Sequence, residues 1–334
     1  VEVDNIDVGF VLDLLHFTSV SIKGKASGIV GVSGLLKKPV LESNLYVKNA
    51  ELNNTPIGNA SIYSGWSPGD SELLVSGAFL EGKDTIALAG GSYSFASDSV
   101  NFVFDANKLE IGFLSRWLGE IAQNIKGKAT GSVRMFGPTK KIGFEGKVFA
   151  DEASATIDFL KTTYSFSDTV YLQRRSIALK NVKIRDAENN TGTLTGVFSH
   201  NGNFKDINYD FKIKAKNMLA LNTKSTDNDI FYGKAYASGD VHLHGTDIAT
   251  NIDVDVKSQP KTKVYISVGG AAVANENDFI NFVQKDTVVI AKTLPSKTVR
   301  TTPLNLSMNL DVTPDAEIQL IISPQAGDMI AANG

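Results

Sequence analysis

The sequence has no cysteine, no long hydrophobic run and no dominant charge of one sign. Without cysteine there is no disulfide, no thiolate metal site and no cysteine nucleophile, and both the cytosol and a bacterial envelope remain open. No apolar run approaches about eighteen residues, so no spanning helix is predicted. The net charge of −3 is spread over interspersed acids and bases, which argues against the basic stripe of a nucleic-acid binder. An initiating Met and a signal peptide are also missing. The chain opens at Val1 in mid-phrase and stops soon after an apolar stretch. It reads as a fragment of a longer protein, with any membrane contact made by parts outside it. What is present is 42% apolar residues over 334, enough to bury a large surface in one to three domains.

A short phrase recurs. Ile22-Lys23-Gly24-Lys25-Ala26-Ser27-Gly28 returns as Ile125-Lys126-Gly127-Lys128-Ala129-Thr130-Gly131, and more weakly over Phe231-Tyr232-Gly233-Lys234-Ala235-Tyr236-Ala237-Ser238-Gly239. The copies lie roughly a hundred residues apart, which predicts related segments over about 1–108, 109–215 and 216–334. The glycines are expected where a strand bends tightly, with Lys23, Lys25, Lys126 and Lys128 in solvent. A small apolar helix or turn is expected before each copy. Phe10, Leu14 and Phe17 suggest one; Phe113, Leu114, Trp117, Leu118 and Ile121 share a helical face; Met218-Leu219-Ala220-Leu221 reads as a shortened version. Trp117 and its neighbours are expected to cap a β core.

Elsewhere the period is two. Tyr209, Phe211, Ile213 and Ala215 alternate with Asp210, Lys212, Lys214 and Lys216. The same alternation runs through Val100, Phe102 and Phe104; Ile142, Phe144 and Val148; Val241 and Leu243; Ile252, Val254 and Val256; and Leu304, Leu306, Met308, Leu310 and Val312. This is the pattern of strands with one apolar and one wet face. Turn formers separate them: Pro68-Gly69-Asp70, Gly90-Gly91, Asn189-Asn190-Thr191-Gly192 and His200-Asn201-Gly202-Asn203. Residues 291–303 read as a polar loop, and Asp278–Lys285 is ambiguous between helix and strand. Roughly two dozen strands result, too many for one flat sheet. A row of sandwiches would need polar linkers near 105 and 215, where apolar residues stand instead. A membrane barrel would need aromatic girdles. The remaining expectation is an all-β, elongated, strongly bent antiparallel sheet with a few short helices, one continuous module over 1–334.

Motifs of chemistry are weak. Gly77 to Asp84 nearly matches a phosphate-binding loop, but Asp84 replaces the hydroxyl and no helix follows, so a hairpin is expected. His242 and His244 share a strand face, with only Asp240 or Asp247 evident as a third ligand, and read as exposed strand histidines. Asp253 and Asp255 read as solvated carboxylates, and Lys212-Lys214-Lys216 as a solvated basic rib able to touch headgroups. Asn53-Asn54-Thr55 and Asn189-Asn190-Thr191 match a glycosylation pattern that a bacterial protein would not use. No catalytic residue, cofactor or metal is expected, and the chain is read as not an enzyme.

One set of phrases carries a resemblance. Arg185 to His200 runs on through Asn203-Phe204-Lys205-Asp206, and is followed by Leu219-Ala220-Leu221-Asn222-Thr223, Tyr232 to Gly239 and Asn309 to Ile322. In this order they resemble the C-terminal region of TamB, the translocation and assembly module subunit of the AsmA-like superfamily, in its Bacteroidetes-type form. The similarity covers essentially the whole chain and is densest from about 180 to 322. It implies a β-taco, a bent sheet with an apolar concave face, in a periplasmic protein anchored to the inner membrane and reaching the outer membrane. It implies a BamA/TamA-like outer-membrane barrel as partner at the C-terminal end, and two roles: phospholipid transport between membranes, or assistance to outer-membrane protein assembly.

The alternation supports the first role. A continuous apolar face left open to water marks a binding site, and each buried CH₂ of an acyl chain gains about 0.8 kcal/mol. Two dozen strands at about 4.8 Å would make a trough on the order of 100 Å long. The expected groove lining is Phe102, Phe104, Phe144, Val148, Phe211, Ile213, Val241, Leu243, Ile252, Val254, Leu306, Met308 and Leu310, holding phospholipid acyl chains. The alternative is a scaffold or chaperone that acts through exposed strand edges.

Overall fold

The computed structural model describes residues 1–9, 21–33, 40–67, 69, 71–119, 122–201, 206–227, 231–267, 304–323 and 328–333. Strands dominate because the alternating stretches noted above extend in the order β1 (Glu2–Asp7), β2 (Ile22–Ser33), β3 (Val40–Leu52), the two-residue β4 (Thr55–Pro56), β5 (Asn59–Ser67), β6 (Glu72–Glu81), β7 (Asp84–Ser94) and β8 (Ser99–Glu110). There follow β9 (Ala122–Pro138), β10 (Gly143–Ile157), β11 (Thr162–Gln173), β12 (Ser176–Asp186), β13 (Thr191–Ser199), β14 (Asn208–Thr223), β15 (Phe231–Thr246), β16 (Thr250–Ser258), β17 (Lys263–Ser267), β18 (Leu304–Asp311), β19 (Glu317–Ser323) and β20 (Asp328–Asn333). These twenty described strands form one open sheet.

From β1 to β16 the sheet is an antiparallel meander of neighbours in sequence. Then the pattern changes. β15 pairs with β16 along its later half and with β17 along its first residues. β16 and β17 in turn pair with β18 and β19, both parallel. The purely antiparallel expectation is therefore corrected to a mixed sheet. A parallel pair needs a crossover connection that no hairpin turn signals, and the connection here, 268–303, lies outside the described residues. The expectations for Asp278–Lys285, for 291–303 and for the helix at Phe10–Phe17 fall outside them too.

The sheet bends along a line of bulges, and the line has a chemical signature. In six strands two residues oppose one on the neighbour, and the second of the two has a positive φ: Asn5, Asn49, Lys108, Glu152, Asn181 and Asn217. Asn tolerates this conformation better than most residues, which accounts for four of the six. The bulge turns each of these N–H groups out of the ladder, and a side chain of the facing residue accepts it. The six acceptors are Ser27 (3.1 Å), Asn59 (3.0 Å), Thr130 (3.0 Å), Ser167 (2.9 Å), Thr195 (3.1 Å) and Ser238 (2.7 Å). Bulges bend and twist a sheet, so six in register make a crease.

The recurrent phrase is now explained. It starts β2 and β15 and lies in the first residues of β9, and its Ser27, Thr130 and Ser238 are three of the six acceptors. The glycine after each lies against the next strand: a Cβ on Gly131 would stand 2.4 Å from the Lys147 carbonyl oxygen, and on Gly239 2.3 Å from that of Asp255. The phrase lysines Lys23, Lys25 and Lys128 are exposed and face Glu51, Asp7 and Glu110 at 3.9, 3.6 and 3.6 Å.

The crease continues into the C-terminal part by other means. β16 and β17 are halves of one line broken at 259–262, and β18 and β19 are halves broken at 312–316. Thr262 Oγ1 accepts the Tyr236 N–H at 3.0 Å at the first break, and Ser258 Oγ accepts the Thr313 N–H at 2.8 Å between the two. Asp186, buried, holds the β12–β13 turn: it accepts the N–H groups of Glu188 and Asn190 at 2.9 Å each, the Asn190 amide at 3.0 Å and the Leu219 N–H at 2.6 Å.

The tightly packed core sits along the crease in separate clusters. They centre on Ala26, Val47, Ala50, Ile57 and Ala60; on Ile111, Ile125, Ala129, Ala150 and Ala153; and on Val182, Ile184 and Met218. Many members are alanines, which let two strand layers approach closely at the fold. Three local expectations are corrected. Gly90-Gly91 is not a turn but lies inside β7, where Gly91 makes room for Phe102. Met218 to Leu221 is not a helix but the end of β14, which pairs with Ala235–Ala237 beyond the Asn217 bulge and buries Met218, Leu219 and Leu221. The segment before β9 is reduced to a 3-10 turn (Gly112–Leu114) and α1 (Ser115–Leu118). Leu114 packs on the core, but Trp117 and Leu118 are 44% and 43% exposed, so the cap is partial.

Candidate functional site

Directly paired residues of neighbouring strands point to the same side of a sheet, so the register shows which side chains share a face. All thirteen residues expected to line a groove fall on one face. Phe102 pairs with Met135 and Met135 with Phe144; Phe104 pairs with Val133. Val148 pairs with Val170 and Val170 with Leu179, which pairs with Gly196. Gly196 pairs with Phe211, Phe211 with Leu243, Leu243 with Ile252 and Ile252 with Leu306. One row nearer the crease, Ile213, Val241, Val254 and Met308 pair in succession, and Val256 pairs with Leu310. The face is the one that carries Ala26, Val47, Ala129 and Ala150 into the crease.

Sequence reading missed further members of these rows. Val133, Met135, Val170, Leu172, Ile177, Leu179 and Phe198 lie on the same face, as do Leu45 and Ile62 toward the N-terminus. Their alternation was visible, but the parity of each strand relative to its neighbour depends on the bulges. Phe211 lies directly over Gly196, where an added Cβ would meet its ring at 2.0 Å.

Away from the crease the described residues leave the face uncovered. Phe104 is 38% exposed, and Leu306 and Met308 are 54% and 56% exposed. Phe102, Phe144, Val148, Phe211, Ile213, Val241, Leu243, Ile252 and Val254 are half-buried. The rings stack along the strands: Phe102 on Phe104 at 6.2 Å, Tyr209 on Phe211 at 6.4 Å. A two-layer sandwich would bury such residues completely; here only the crease is closed. Between β8 and β16 the register puts two carboxylates of the described strands on this face, Asp168 and the buried Asp186. The row from Gly28 in β2 to Leu306 in β18, at about 4.8 Å per strand, runs for roughly 70 Å. That is shorter than the expected trough, in part because β16 with β17 and β18 with β19 are halves of single lines.

The rim of the face is aromatic and polar. Trp66 and Phe95 stand 5.3 Å apart, and Tyr93 meets Phe95 edge-on at 4.6 Å. The Tyr93 hydroxyl donates to Asp98 at 2.9 Å and the Thr139 hydroxyl donates to its other oxygen at 2.7 Å. These bonds, Thr139 first, hold the Asp98 carboxyl below the usual carboxylate range, while desolvation and then Asp98 push the Tyr93 phenol up. Two adjacent rim turns carry Lys140, Lys141, Arg174 and Arg175, all exposed, and the Phe144 N–H donates to the Arg174 carbonyl at 3.3 Å. On the crease side Glu188 accepts from Lys234 at 2.6 Å and from Tyr236 at 2.9 Å; these bonds lower the carboxyl and raise the lysine to about 12.

The outer face is mostly polar from β9 onward, with Phe149 and Val197 as exposed apolar exceptions. The rib Lys212, Lys214 and Lys216 lies there, exposed, with Lys214 3.9 Å from Asp240. Asp255 accepts the Asn309 amide at 3.0 Å. The uniform polarity expected for this face fails further toward the N-terminus, where Ile29, Tyr46, Tyr63, Leu74, Leu88 and Val103 are exposed on it. Gly77 to Asp84 forms the β6–β7 hairpin. Asn53 lies in the β3–β4 turn, where its side chain accepts the Ser21 N–H at 2.8 Å and donates to the Phe113 carbonyl at 3.2 Å.

The class of protein is thus an open, creased all-β sheet with one continuous apolar face. Residues 180–334, a little under half of the chain, match the family model described as the TamB C-terminal domain. No curated protein and no solved structure matches the chain. Among the described residues no helix is long and apolar enough to cross a membrane.

Proposed function

We propose that the apolar face is a track for phospholipid acyl chains between the inner and outer membranes, in a periplasmic module that spans the whole chain. The observation that carries this reading is the open row of paired apolar side chains from β2 to β18. An acyl chain laid along it would remove both itself and the face from water, at about 25 cal/mol per Å² of apolar area. The rim suits the other half of a phospholipid: Lys140, Lys141, Arg174 and Arg175 offer charge to phosphate, and Trp66 and Tyr93 are residues that favour an apolar–aqueous boundary. We propose further that the C-terminal end meets a barrel of the BamA type and that the remainder of the protein supplies the inner-membrane anchor.

The test uses residues whose replacement spares the fold. Phe104 and Met308 are substantially exposed, so Phe104→Glu and Met308→Lys should leave expression and unfolding nearly unchanged while interrupting the track. Lipid delivery to the outer membrane should fall severalfold in each and further in the pair. Normal delivery by both would sink the proposal.

The alternative, assistance to barrel-protein assembly by strand addition, is favoured by one observation. β18 pairs with β16 on one side and has no other described partner, and its Leu306 and Met308 are exposed. That reading expects crosslinks from β18 to outer-membrane protein strands and unchanged lipid delivery in the Phe104→Glu variant.

A further inference from the structure

On the outer face, behind the apolar rows, β14, β15 and β16 bring two imidazoles and two carboxylates together. His242 and His244 project from the same side of β15 with ring centroids 4.3 Å apart. The register pairs His242 with Asp253 of β16, not with Asp240 or Asp247, the two neighbours in sequence. Asp253 Oδ2 lies 3.0 Å from His244 Nε2 and 4.0 Å from His242 Nδ1. We propose that His242, His244 and Asp253 chelate a divalent transition-metal ion of the zinc type, with Asp210 orienting His242.

The geometry has the required dimensions. A tetrahedral ion with bonds of about 2.0–2.2 Å holds its ligands roughly 3.3–3.5 Å apart, and the two distances to Asp253 bracket that value. The candidate ligand atoms of all three residues lie within 4.8 Å of one another. The far nitrogen of His242 is occupied: its Nε2–H donates to Asp210 Oδ1 at 3.1 Å. That bond fixes the tautomer and leaves the Nδ1 lone pair toward Asp253, which is the carboxylate–histidine–metal relay found behind many zinc ligands. Two imidazoles with one carboxylate suit Zn²⁺, and also Ni²⁺ or Cu²⁺, better than Mg²⁺ or Ca²⁺, which prefer oxygen alone. Three protein donors leave a fourth position for water. Lys212, opposite His242 in β14, is exposed and free to extend into solvent. The ligands come from two hydrogen-bonded strands and their support from a third, so a bound ion would staple the sheet directly behind Phe211, Leu243 and Ile252. This site does not depend on what the apolar face carries.

The experiment is calorimetric titration of the untagged, chelator-stripped chain with ZnCl₂ at neutral pH, with MgCl₂ as control. One saturable equivalent of zinc and no magnesium binding are expected. His242→Asn with His244→Asn should abolish the binding, Asp253→Asn should weaken it at least tenfold, and Asp210→Asn roughly tenfold. Far-UV circular dichroism checks that each variant keeps its strands, and all four positions are at least partly exposed. As a second readout, Co²⁺ should give the intense visible bands of a tetrahedral site in the parent and lose them in the double variant. No saturable zinc binding, or binding that survives the double His variant or moves instead with His16 or His200, would overturn the proposal and leave the cluster as a ladder of side-chain hydrogen bonds.

Discussion

Single residues decide where this sheet folds. Six N–H groups are turned out of the ladder at the bulges, and six polar side chains receive them. Thr195→Val removes the acceptor for the Asn181 N–H. Because water reaches the exposed Asn181, the cost should be only about 1 kcal/mol in urea unfolding. The glycines beside the acceptors are less forgiving. Gly239→Ala places a methyl 2.3 Å from the Asp255 carbonyl oxygen and 2.7 Å from Val256 Cα, and should cost 2 kcal/mol or more. Gly90→Ala, with nothing within 4 Å of the added carbon, should change stability by less than about 0.5 kcal/mol. Equal effects at the two glycines would contradict the crease. His200 supplies a pH dependence: desolvation, and then the Arg175 charge, holds its imidazole below the usual value of 6.5. The folded state therefore binds the proton less readily than the unfolded chain. Its contribution is intact above 6.5 and is lost as pH falls from there through the lowered folded value. Unfolding midpoints should drop over that interval, and the drop should shrink in His200→Gln.

At the scale of elements, the strands were legible and their joints less so. The period of two located β8, β10, β14 to β16 and β18, and the thirteen named apolar residues prove to share a face. Alternation reports which residues of one strand go together, and nothing more. It does not tell which face of the next strand matches, since one bulge between Ala215 and Met218 reverses the parity. For the same reason Met218 to Leu221 looked helical: a bulged strand puts apolar residues on consecutive positions. The parallel pairing of β16 with β18 and β17 with β19 had no local signal, and neither did the meeting of Asp253 with the histidines, which depends on register. Asp186 joins elements that sequence separates. Its carboxylate accepts the Leu219 N–H of β14 as well as its own turn. Asp186→Ala would leave that buried N–H without a partner and should cost about 3 kcal/mol. Asp255→Ala on the solvated face should cost less than about 0.5 kcal/mol. Comparable losses in the two variants would count against the clasp.

For the whole molecule, the decisive feature is where the packing stops. Alanine-rich clusters close the crease, and beyond it the apolar rows remain open along the length of the sheet. Burial is thus divided between a narrow seam that holds the fold and a wide face that the described residues do not cover. Replacing crease residues should lower stability, whereas replacing open-face residues such as Phe104 or Met308 should alter transport at nearly constant stability. The most direct measurement places a photoreactive amino acid at Phe144, on the open face next to the basic rim turns, in the full-length protein in cells, and identifies the adduct by mass. A phospholipid adduct that is absent when the probe sits at outward-facing Glu145 is the expected result. Adducts with protein alone at Phe144 would contradict the lipid track.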